Sequence, residues 1–327
     1  MKKNFNAMKK INNFIKKMVN FFKQNLKKIM KIKGWSKFAL ITGIILLILM
    51  IINKDMIYKE GFVQKDKFIL KRGNNIYDEF YTDIYDELIL DKAKNDFEVG
   101  EIKRLIKINS INKVLDVGSG TGQHVNLLNK AGYKTEGVDK SEAMIKYSKN
   151  KYPDLNFKHG DVLESMLYPE QSFTTITCFY FTIYYIEDKN RFLKNCYSWL
   201  MPGGYLILHL VNRDKFDPIL NVADPLHLVS AQKYAKERIT TSLVKFKDFQ
   251  YRAKFDLDKK NNLAEFNETF KDDKTKHVRQ NSHKLYMETQ KHILGLAKNI
   301  GFILQGKIDM ITTQYQNQYL YLLYKPQ

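Results

Sequence analysis

Cysteine and proline are both scarce in this chain: its 327 residues include two cysteines, Cys178 and Cys196, and six prolines. Two cysteines cannot build a disulfide framework or a thiolate zinc cluster, and both lie in apolar or helical patterns typical of buried free thiols in a reducing compartment. The low proline content excludes proline-rich architectures. Hydrophobic residues make up 44% of the chain and aromatic residues 13%. This composition supports a packed core and excludes global disorder.

Acidic residues are absent from the first 37 positions, which hold twelve lysines. The formal net charge of the chain is +19, so the remaining residues carry only +7. The strong basicity therefore belongs to a tail and not to the core. Arginine, whose forked guanidinium suits base reading, is scarce beside lysine. We expect no nucleic-acid partner, and no metal site is indicated.

One long apolar run, FALITGIILLILMII from Phe38 to Ile52, carries no charge. With its flanking residues it approaches the ~20 residues that span a bilayer. No small-residue cleavage pattern follows it, which favours an uncleaved anchor over a signal peptide, with a buried core helix as the other alternative. We predict a transmembrane helix over 34–54, a linker over 55–75 and a catalytic-sized domain over 76–327.

The basic tail, residues 1–33, places apolar side chains at helical spacing with lysines on the other face. This pattern predicts an amphipathic helix on an anionic membrane surface, and the alternative is a solvated lysine-rich tail. Both flanks of the apolar run are basic, so charge alone does not fix the membrane topology.

The region after the linker alternates short apolar runs with helical patterns, which predicts a parallel sheet covered by helices on both faces. Ligands of such sheets bind at the carboxyl ends of the strands. The predicted strands are Val114–Val117, Lys134–Val138, Asn156–His159, Thr174–Phe179 and Tyr205–Val211.

Three strand ends in order carry ligand-binding patterns. The first strand runs into Asp116 to Gly122, DVGSGTG, whose GxGxG spacing lacks the third glycine of a dinucleotide fingerprint and so disfavours NAD. Asp139 ends the second strand ~20 residues later, where a carboxylate can accept from both hydroxyls of a ribose. Asp161 follows the third strand and can accept from an adenine amine.

The sequence resembles the class I S-adenosylmethionine-dependent methyltransferases from about Asn75 to Tyr324, through VLDVGSGTG, GVDKSEAMI, HGDVLES, TTITCFYFTIYYI and LMPGGYLILHL. A tyrosine-rich helix at Tyr77 to Asp86 is similar to that of the small-molecule branch, which includes amino-sugar N,N-dimethyltransferases. The resemblance implies an α/β Rossmann-like, seven-stranded, mostly parallel sheet with a reversed final hairpin at Gly301–Leu304 and Tyr319–Leu323.

The resemblance also implies S-adenosylmethionine as cofactor. The first strand end would hold its methionine portion, the second its ribose, and the second and third its adenine. The fourth would lie below the sulfonium, and two tyrosines would close over the cofactor unless they only bury aromatic surface in the core. The implied residues are Tyr81, Tyr85, Asp116, Gly118, Ser119, Gly120, Thr121, Gly122, Asp139, Lys140, Ser141, Met144, Gly160, Asp161, Val162, Cys178 and Phe179.

Candidate substrate residues are the polar groups near the ends of the fourth and fifth strands. A sulfonium methyl transfers by in-line displacement, so placement can supply most of the rate and no general base is required. We therefore name no catalytic residue. The candidates are Tyr180, Tyr184, Tyr185, His209 and Asn212, of which His209 lies in an apolar run more typical of a core histidine.

An insertion over about 212–284 departs from the minimal fold. Alternating segments at Ser242–Phe246, Phe249–Leu257 and Leu263–Phe270 predict an antiparallel, β-rich lid. Insertions after the fifth strand lie above the cofactor mouth and shape substrate choice.

The expected function is a membrane-anchored methyltransferase acting on a small-molecule acceptor, and the amino-sugar resemblance implies an amine. The alternatives are a lipid or quinone methyltransferase and a non-catalytic, membrane-tethered cofactor-binding scaffold. Because this cofactor is made in the cytosol and free thiols suit a reducing space, we expect a single-pass membrane protein with its catalytic domain facing the cytosol.

Overall fold

The computed structural model describes residues 34, 64, 66–106, 112–219, 237–246 and 248–327. The chain divides into two compact units, Met1–Gly61 and Phe62–Gln327, and the elements below belong to the second. Among the described residues, no helix has the length and apolar character needed to cross a bilayer. The predicted surface helix and the apolar run Phe38–Ile52 lie outside the described residues, so both stay predictions.

In the part of the chain that the structure describes, twelve strands form two sheets. In chain order they are β1 (Phe68–Arg72), β2 (Lys113–Val117), β3 (Lys134–Asp139), β4 (Asn156–His159), β5 (Phe173–Cys178), β6 (Leu200–Val211), β7 (Thr241–Lys245), β8 (Phe249–Asp258), β9 (Leu263–Asp272), β10 (Val278–Tyr286), β11 (Ile303–Asp309) and β12 (Gln318–Tyr324).

The main sheet has the order β11-β12-β6-β5-β2-β3-β4. Its strands β2 to β6 pair in parallel, whereas β12 runs antiparallel to both β6 and β11. The predicted Rossmann-like sheet with a reversed final hairpin is therefore observed. Its strands are buried along most of their length, as expected for a sheet covered on both faces.

Seven helices accompany the strands in the described part of the chain. They are α1 (Glu79–Ile89), α2 (Lys92–Leu105), α3 (Gln123–Lys130), α4 (Glu142–Lys151), α5 (Thr182–Tyr185), α6 (Lys189–Trp199) and α7 (Gln290–Ile300). Five of them begin after a side chain that accepts from a first-turn backbone N–H: Asp78, Asp91, Ser141, Asp188 and Thr289. Such caps satisfy donors that the helix itself leaves free, so local sequence fixes where these helices start.

The second sheet, called the lid sheet here, has the order β1-β10-β9-β8-β7. Strands β7 to β10 are antiparallel neighbours, as the alternating pattern of the insertion predicts. The sheet extends to Tyr286, past the predicted end of the insertion at 284.

The strand β1 lies inside the stretch predicted as a linker, 55–75, and pairs in parallel with β10. Its side chains are exposed or half-buried, so no apolar pattern marks it in the sequence. The strand forms because β10, more than 200 residues away along the chain, has an edge with which it can pair.

Candidate functional site

The glycine loop at the carboxyl end of β2 is held in a conformation that needs glycine. Gly118, Gly120 and Gly122 have φ values of +68°, +52° and +81°. A Cβ at Gly118 would lie within 3 Å of Thr182, and one at Gly122 would lie within 3 Å of the Phe157 ring. A Cβ at Gly120 would meet only the ring of Tyr85, at 3.8 Å. The loop is therefore tightly packed at Gly118 and Gly122, whereas its middle residue, Gly120, faces Tyr85 on α1.

A cavity of about 1480 Å³ lies between the carboxyl ends of the main sheet and the lid sheet. It is large enough for a nucleoside cofactor together with a small acceptor. Most of the predicted cofactor residues line it: Tyr81, Tyr85, Asp116, Gly118, Ser119, Gly120, Thr121, Asp139, Lys140, Ser141, Met144, Gly160, Asp161, Val162 and Phe179. Two of the predicted substrate residues, Tyr180 and Tyr185, line it as well.

Two of the predicted cofactor residues do not line the cavity. Gly122 is the N-cap of α3, and its lack of a side chain accommodates Phe157. Cys178 is fully buried in the main hydrophobic core, where burial raises the pKa of its thiol. Both serve packing, and we leave them out of the proposed site.

Three of the predicted substrate residues also point elsewhere. The Tyr184 hydroxyl accepts from the backbone N–H of Val211 at 2.8 Å, within the core. His209 is fully buried, and its Nδ1 accepts from the backbone of Tyr180 at 3.1 Å. Asn212 begins a turn, its side chain accepting from the backbone N–H of Asp214 at 3.2 Å. These residues are left out of the site for the same reason.

Asp139 connects the end of β3 to the glycine loop. Its Oδ2 accepts from the backbone N–H of Gly120 at 2.9 Å, and its Oδ1 accepts from that of Ser141 at 2.8 Å. Burial raises the pKa of Asp139, although these hydrogen bonds oppose the shift. The two carboxylate oxygens together can accept about four hydrogen bonds, so the group still has a lone pair for a ribose hydroxyl.

Asp116 and Ser119 can make further hydrogen bonds at the position expected for the methionine portion of the cofactor. Burial raises the pKa of Asp116 to about 6, against the lowering effects of His124 and of a 2.7 Å hydrogen bond from Thr177. A cationic ligand group beside this carboxyl would favour its ionised form. The buried Ser119 hydroxyl has no hydrogen-bond partner among the described residues. These residues therefore fit the ammonium and carboxylate ends of S-adenosylmethionine.

Asp161, after β4, is held by an ion pair of 2.7 Å with Lys140 and accepts from the backbone N–H of Leu163 at 3.0 Å. Partial burial would raise the pKa of Asp161, but the Lys140 contact and the backbone hydrogen bond lower it overall. An ionised carboxylate at this position can accept from an adenine amine.

Four tyrosines surround one part of the cavity: Tyr77, Tyr81, Tyr85 and Tyr185. The Tyr77 ring lies 5.6 Å from that of Tyr81, 6.5 Å from that of Tyr85 and 6.1 Å from that of Tyr185. Tyr77 belongs to the tyrosine-rich motif but is not among the predicted site residues, although its spacing of four and eight residues from Tyr81 and Tyr85 is a signal that could have found it. We call this group the tyrosine cluster.

A buried charged network that sequence reasoning also missed lies beside the glycine loop. Glu98, fully buried on α2, binds Lys94 Nζ at 2.9 Å and His124 Nε2 at 2.7 Å through its Oε2. Burial alone would raise the pKa of Glu98, but the charge of Lys94 and the hydrogen bond from His124 hold it well below its ordinary value. His124 also stacks on Phe179, with ring centroids 4.4 Å apart. This network fixes the wall of the cavity beneath Phe179.

The lid sheet contributes a third missed group, in which His283 contacts Glu268 at 2.8 Å and the Tyr185 hydroxyl at 2.9 Å. His283 lies 98 positions and Glu268 lies 83 positions after Tyr185 in the chain, and no motif links them. Only the packing of the lid sheet against α5 brings them together.

Comparisons with known proteins agree with this geometry. Residues 114–204 match the sequence profile of the methyltransferase domain. A dTDP-4-amino-2,3,4,6-tetradeoxy-D-glucose N,N-dimethyltransferase of Saccharopolyspora spinosa is 28% identical over 41% of this chain and 56% of its own length. A ubiquinone biosynthesis O-methyltransferase of Coxiella burnetii is 35% identical over 31% of this chain and 44% of its own length. The chain thus spans about half the length of these relatives.

Solved structures share the fold. The CcbJ methyltransferase of Streptomyces caelestis has a TM-score of 0.60 at 14% identity, covering 78% of this chain and all of its own. CalS10, an amino pentose methyltransferase of Micromonospora echinaspora solved with bound S-adenosylmethionine, has a TM-score of 0.51 at 16% identity, covering 71% of this chain and 90% of its own. At such identities the likeness shows the fold alone.

The fold is that of the solved methyltransferase structures, and residues 114–204, which include the glycine loop, match the methyltransferase domain. The resemblance to S-adenosylmethionine-dependent methyltransferases predicted from the sequence is confirmed. S-adenosylmethionine is in the name of one further relative, from Mycolicibacterium smegmatis, and is bound in one neighbouring structure, in agreement with the prediction.

Proposed function

We propose that the chain transfers a methyl group from S-adenosylmethionine to the amine of a small molecule. The observation that carries this proposal is the position of the tyrosine cluster, which lines the same cavity as the glycine loop and meets it where Tyr85 faces Gly120. Aromatic faces attract ammonium groups through cation–π interaction. An amine held there would lie next to the methionine end of the cofactor.

Each part of the cofactor has a proposed partner among the residues of the cavity. Asp139 would hold the ribose, Asp161 the adenine amine, and Asp116 with Ser119 the methionine end. The bound cofactor supplies an electrophilic methyl group on a sulfonium. The protein then needs to orient the acceptor nitrogen in line with that methyl and to exclude water, which the lid sheet above the cavity supports.

The chain is similar both to N-methyltransferases and to O-methyltransferases. The sugar N,N-dimethyltransferase and a phosphoethanolamine N-methyltransferase of Plasmodium falciparum, 32% identical over 32% of this chain, act on nitrogen by name. The ubiquinone O-methyltransferase favours a second candidate, a quinone or lipid acceptor, which the predicted membrane anchor would also suit. The tyrosine cluster supports the amine as first candidate.

Cofactor binding is tested by thermal unfolding of the full chain with and without ligands. S-adenosylmethionine at ~100 times its Kd should add about 2.7 kcal/mol to the unfolding free energy, because it binds only the folded state. NADH at the same concentration should leave the unfolding temperature unchanged, since the loop lacks the dinucleotide fingerprint. Stabilisation by NADH and not by S-adenosylmethionine would contradict the proposal. Binding without label transfer to any acceptor would support the non-catalytic scaffold.

The proposal includes a membrane anchor at residues 34–54, the basic tail before it and a catalytic domain that faces the cytosol. Its support is the uncharged run Phe38–Ile52 and the cytosolic origin of the cofactor. Full-length protein should sediment with membranes and resist extraction by high salt, whereas a variant lacking residues 1–53 should remain in the supernatant. Protease added outside intact cells should leave the catalytic domain uncut. Equal sedimentation of both forms would contradict the anchor.

A further inference from the structure

A buried carboxylate lies on the face of the lid sheet that packs against the catalytic core. Glu268 lies in the middle strand β9, flanked by Ala253 and Asn281 on its neighbours, and is fully buried. Its Oε1 accepts from the Tyr251 hydroxyl at 2.7 Å, and its Oε2 accepts from Asn281 Nδ2 at 3.2 Å and contacts His283 Nε2 at 2.8 Å. Burial would raise the pKa of Glu268, but the hydrogen bond from His283 leads the effects that lower it overall.

This carboxylate fixes the proton positions on His283. An ionised carboxylate only accepts hydrogen bonds, so His283 Nε2 must carry a proton and donate it. In the neutral ring Nδ1 is then an acceptor, and the Tyr185 hydroxyl donates to it at 2.9 Å. His283 is 2% exposed and Tyr185 is 37% exposed, so the chain of hydrogen bonds runs from the sheet interior to a hydroxyl at the cavity.

The Tyr185 oxygen has room for one further partner. Burial raises the pKa of Tyr185, so the hydroxyl keeps its proton. A hydroxyl has one proton to donate and two lone pairs. With its proton on His283, the Tyr185 oxygen keeps lone pairs that face the cavity and can accept from an N–H of a bound molecule.

The same hydrogen-bond network also fixes the tyrosine cluster. Arg279 donates through Nε to Asn281 at 2.9 Å and through one terminal nitrogen to both Asp78 carboxylate oxygens, each at 2.9 Å. Asp78 is the N-cap of α1, the helix that carries Tyr81 and Tyr85. The lid sheet therefore positions Tyr185 and α1 together, so the proton acceptor and the aromatic wall keep a fixed relation.

We propose that Tyr185 is a catalytic residue that takes a proton from the acceptor ammonium, with His283 and Glu268 as positioning residues that receive and stabilise that proton. The inference rests on the proposed function and names its substrate class as an amine that arrives protonated. A protonated amine has no lone pair, so it cannot attack a methyl group until it loses a proton.

The ammonium proton moves to the Tyr185 oxygen as the Tyr185 proton moves to His283 Nδ1, which leaves an imidazolium paired with the Glu268 carboxylate. The freed nitrogen lone pair forms the bond to the methyl carbon while the carbon–sulfur bond breaks, and the sulfur keeps that electron pair. The imidazolium proton returns through Tyr185 to solvent when the product leaves.

The test compares Tyr185→Phe and His283→Gln in the full chain. Tritium transfer from methyl-labelled S-adenosylmethionine to the small-molecule fraction of a host extract is measured from pH about 7 to about 10. Over this range the neutral fraction of an amine with a pKa of ~10 rises from about 0.1% to about one half. At pH ~7 each variant should transfer label about 10²–10³-fold more slowly than the unaltered chain. The deficit should shrink as the pH rises, because the free amine then arrives without needing the relay.

Matched controls are Tyr184→Phe, whose hydroxyl lies in the core, and His277→Gln, in the turn between β9 and β10. Both should keep the unaltered rate, and all four variants should bind S-adenosylmethionine with an unchanged Kd. A deficit of the same size at every pH, or no deficit, would overturn the relay while leaving methyl transfer intact. If the unaltered chain binds the cofactor but labels nothing, the proposed function fails, and the relay fails with it.

Discussion

Replacement of Glu98 by alanine is expected to destabilise the domain by about 3–5 kcal/mol. The carboxylate is fully buried between Lys94 and His124, and its loss would leave the Lys94 ammonium buried without its partner. Removal of one member of a buried ion pair is costly because the other charge has lost its solvation and gains nothing in return. Denaturant unfolding of the variant and the unaltered chain measures the difference.

Two further variants separate charge from packing. Glu101→Ala, on the same helix, removes a carboxylate whose partner Arg104 is 63% exposed, and should cost only ~0–1 kcal/mol. The pair Lys94→Met with Glu98→Leu removes both charges and should recover much of the loss, since apolar replacements of a buried ion pair are often tolerated. Similar costs for Glu98→Ala and Glu101→Ala would show that the network adds nothing to folding.

Substitution Asp139→Asn should weaken S-adenosylmethionine binding about 10- to 150-fold, corresponding to ~1.5–3 kcal/mol for hydrogen bonds to a charged group. The carboxylate already accepts from the backbone of Gly120 and of Ser141. An amide has only one oxygen, so it cannot accept at both positions and also serve two ribose hydroxyls. Calorimetric titration with the cofactor gives the two Kd values.

The matched control is Asp154→Asn, an exposed aspartate in the turn before β4. It makes the same chemical change away from the cavity and should leave the Kd within about twofold, as surface substitutions seldom exceed ~0.5 kcal/mol. Equal affinity for all three proteins would show that the cofactor ribose lies elsewhere.

The elements predicted well from sequence are those that local pattern decides. Strands β2 to β6 match their predicted bounds within a few residues, except that β6 begins at Leu200 and not at Tyr205. Their continuous apolar runs and the glycine turn after β2 are local signals. The start of α4 is likewise set by Ser141, which caps the helix from the adjacent position.

The elements that sequence could not supply depend on distant partners. Strand β1 exists because β10 leaves an edge to pair with, and His124 gains its role from Glu98 on another helix. Cys178 is a similar case: the resemblance implied a place at the cavity floor, but its side chain packs into the main hydrophobic core. Such facts follow from packing, which periodicity does not encode.

The parallel pairing of β1 with β10 determines which strand a pulling force on the preceding chain would reach first. Tension on the chain before Phe68 would act along β1 and load its five residue pairs with β10 in shear, Phe68 with Val278 through Arg72 with Ser282. The next residue of β10 is His283, so the strand that bears the pull also carries the imidazole. The glycine loop and Asp139 lie in the other sheet, outside this path. If the tail were fixed to a surface, a pulling force would therefore act on β10, which carries His283, before it reached the strands that hold the glycine loop and Asp139.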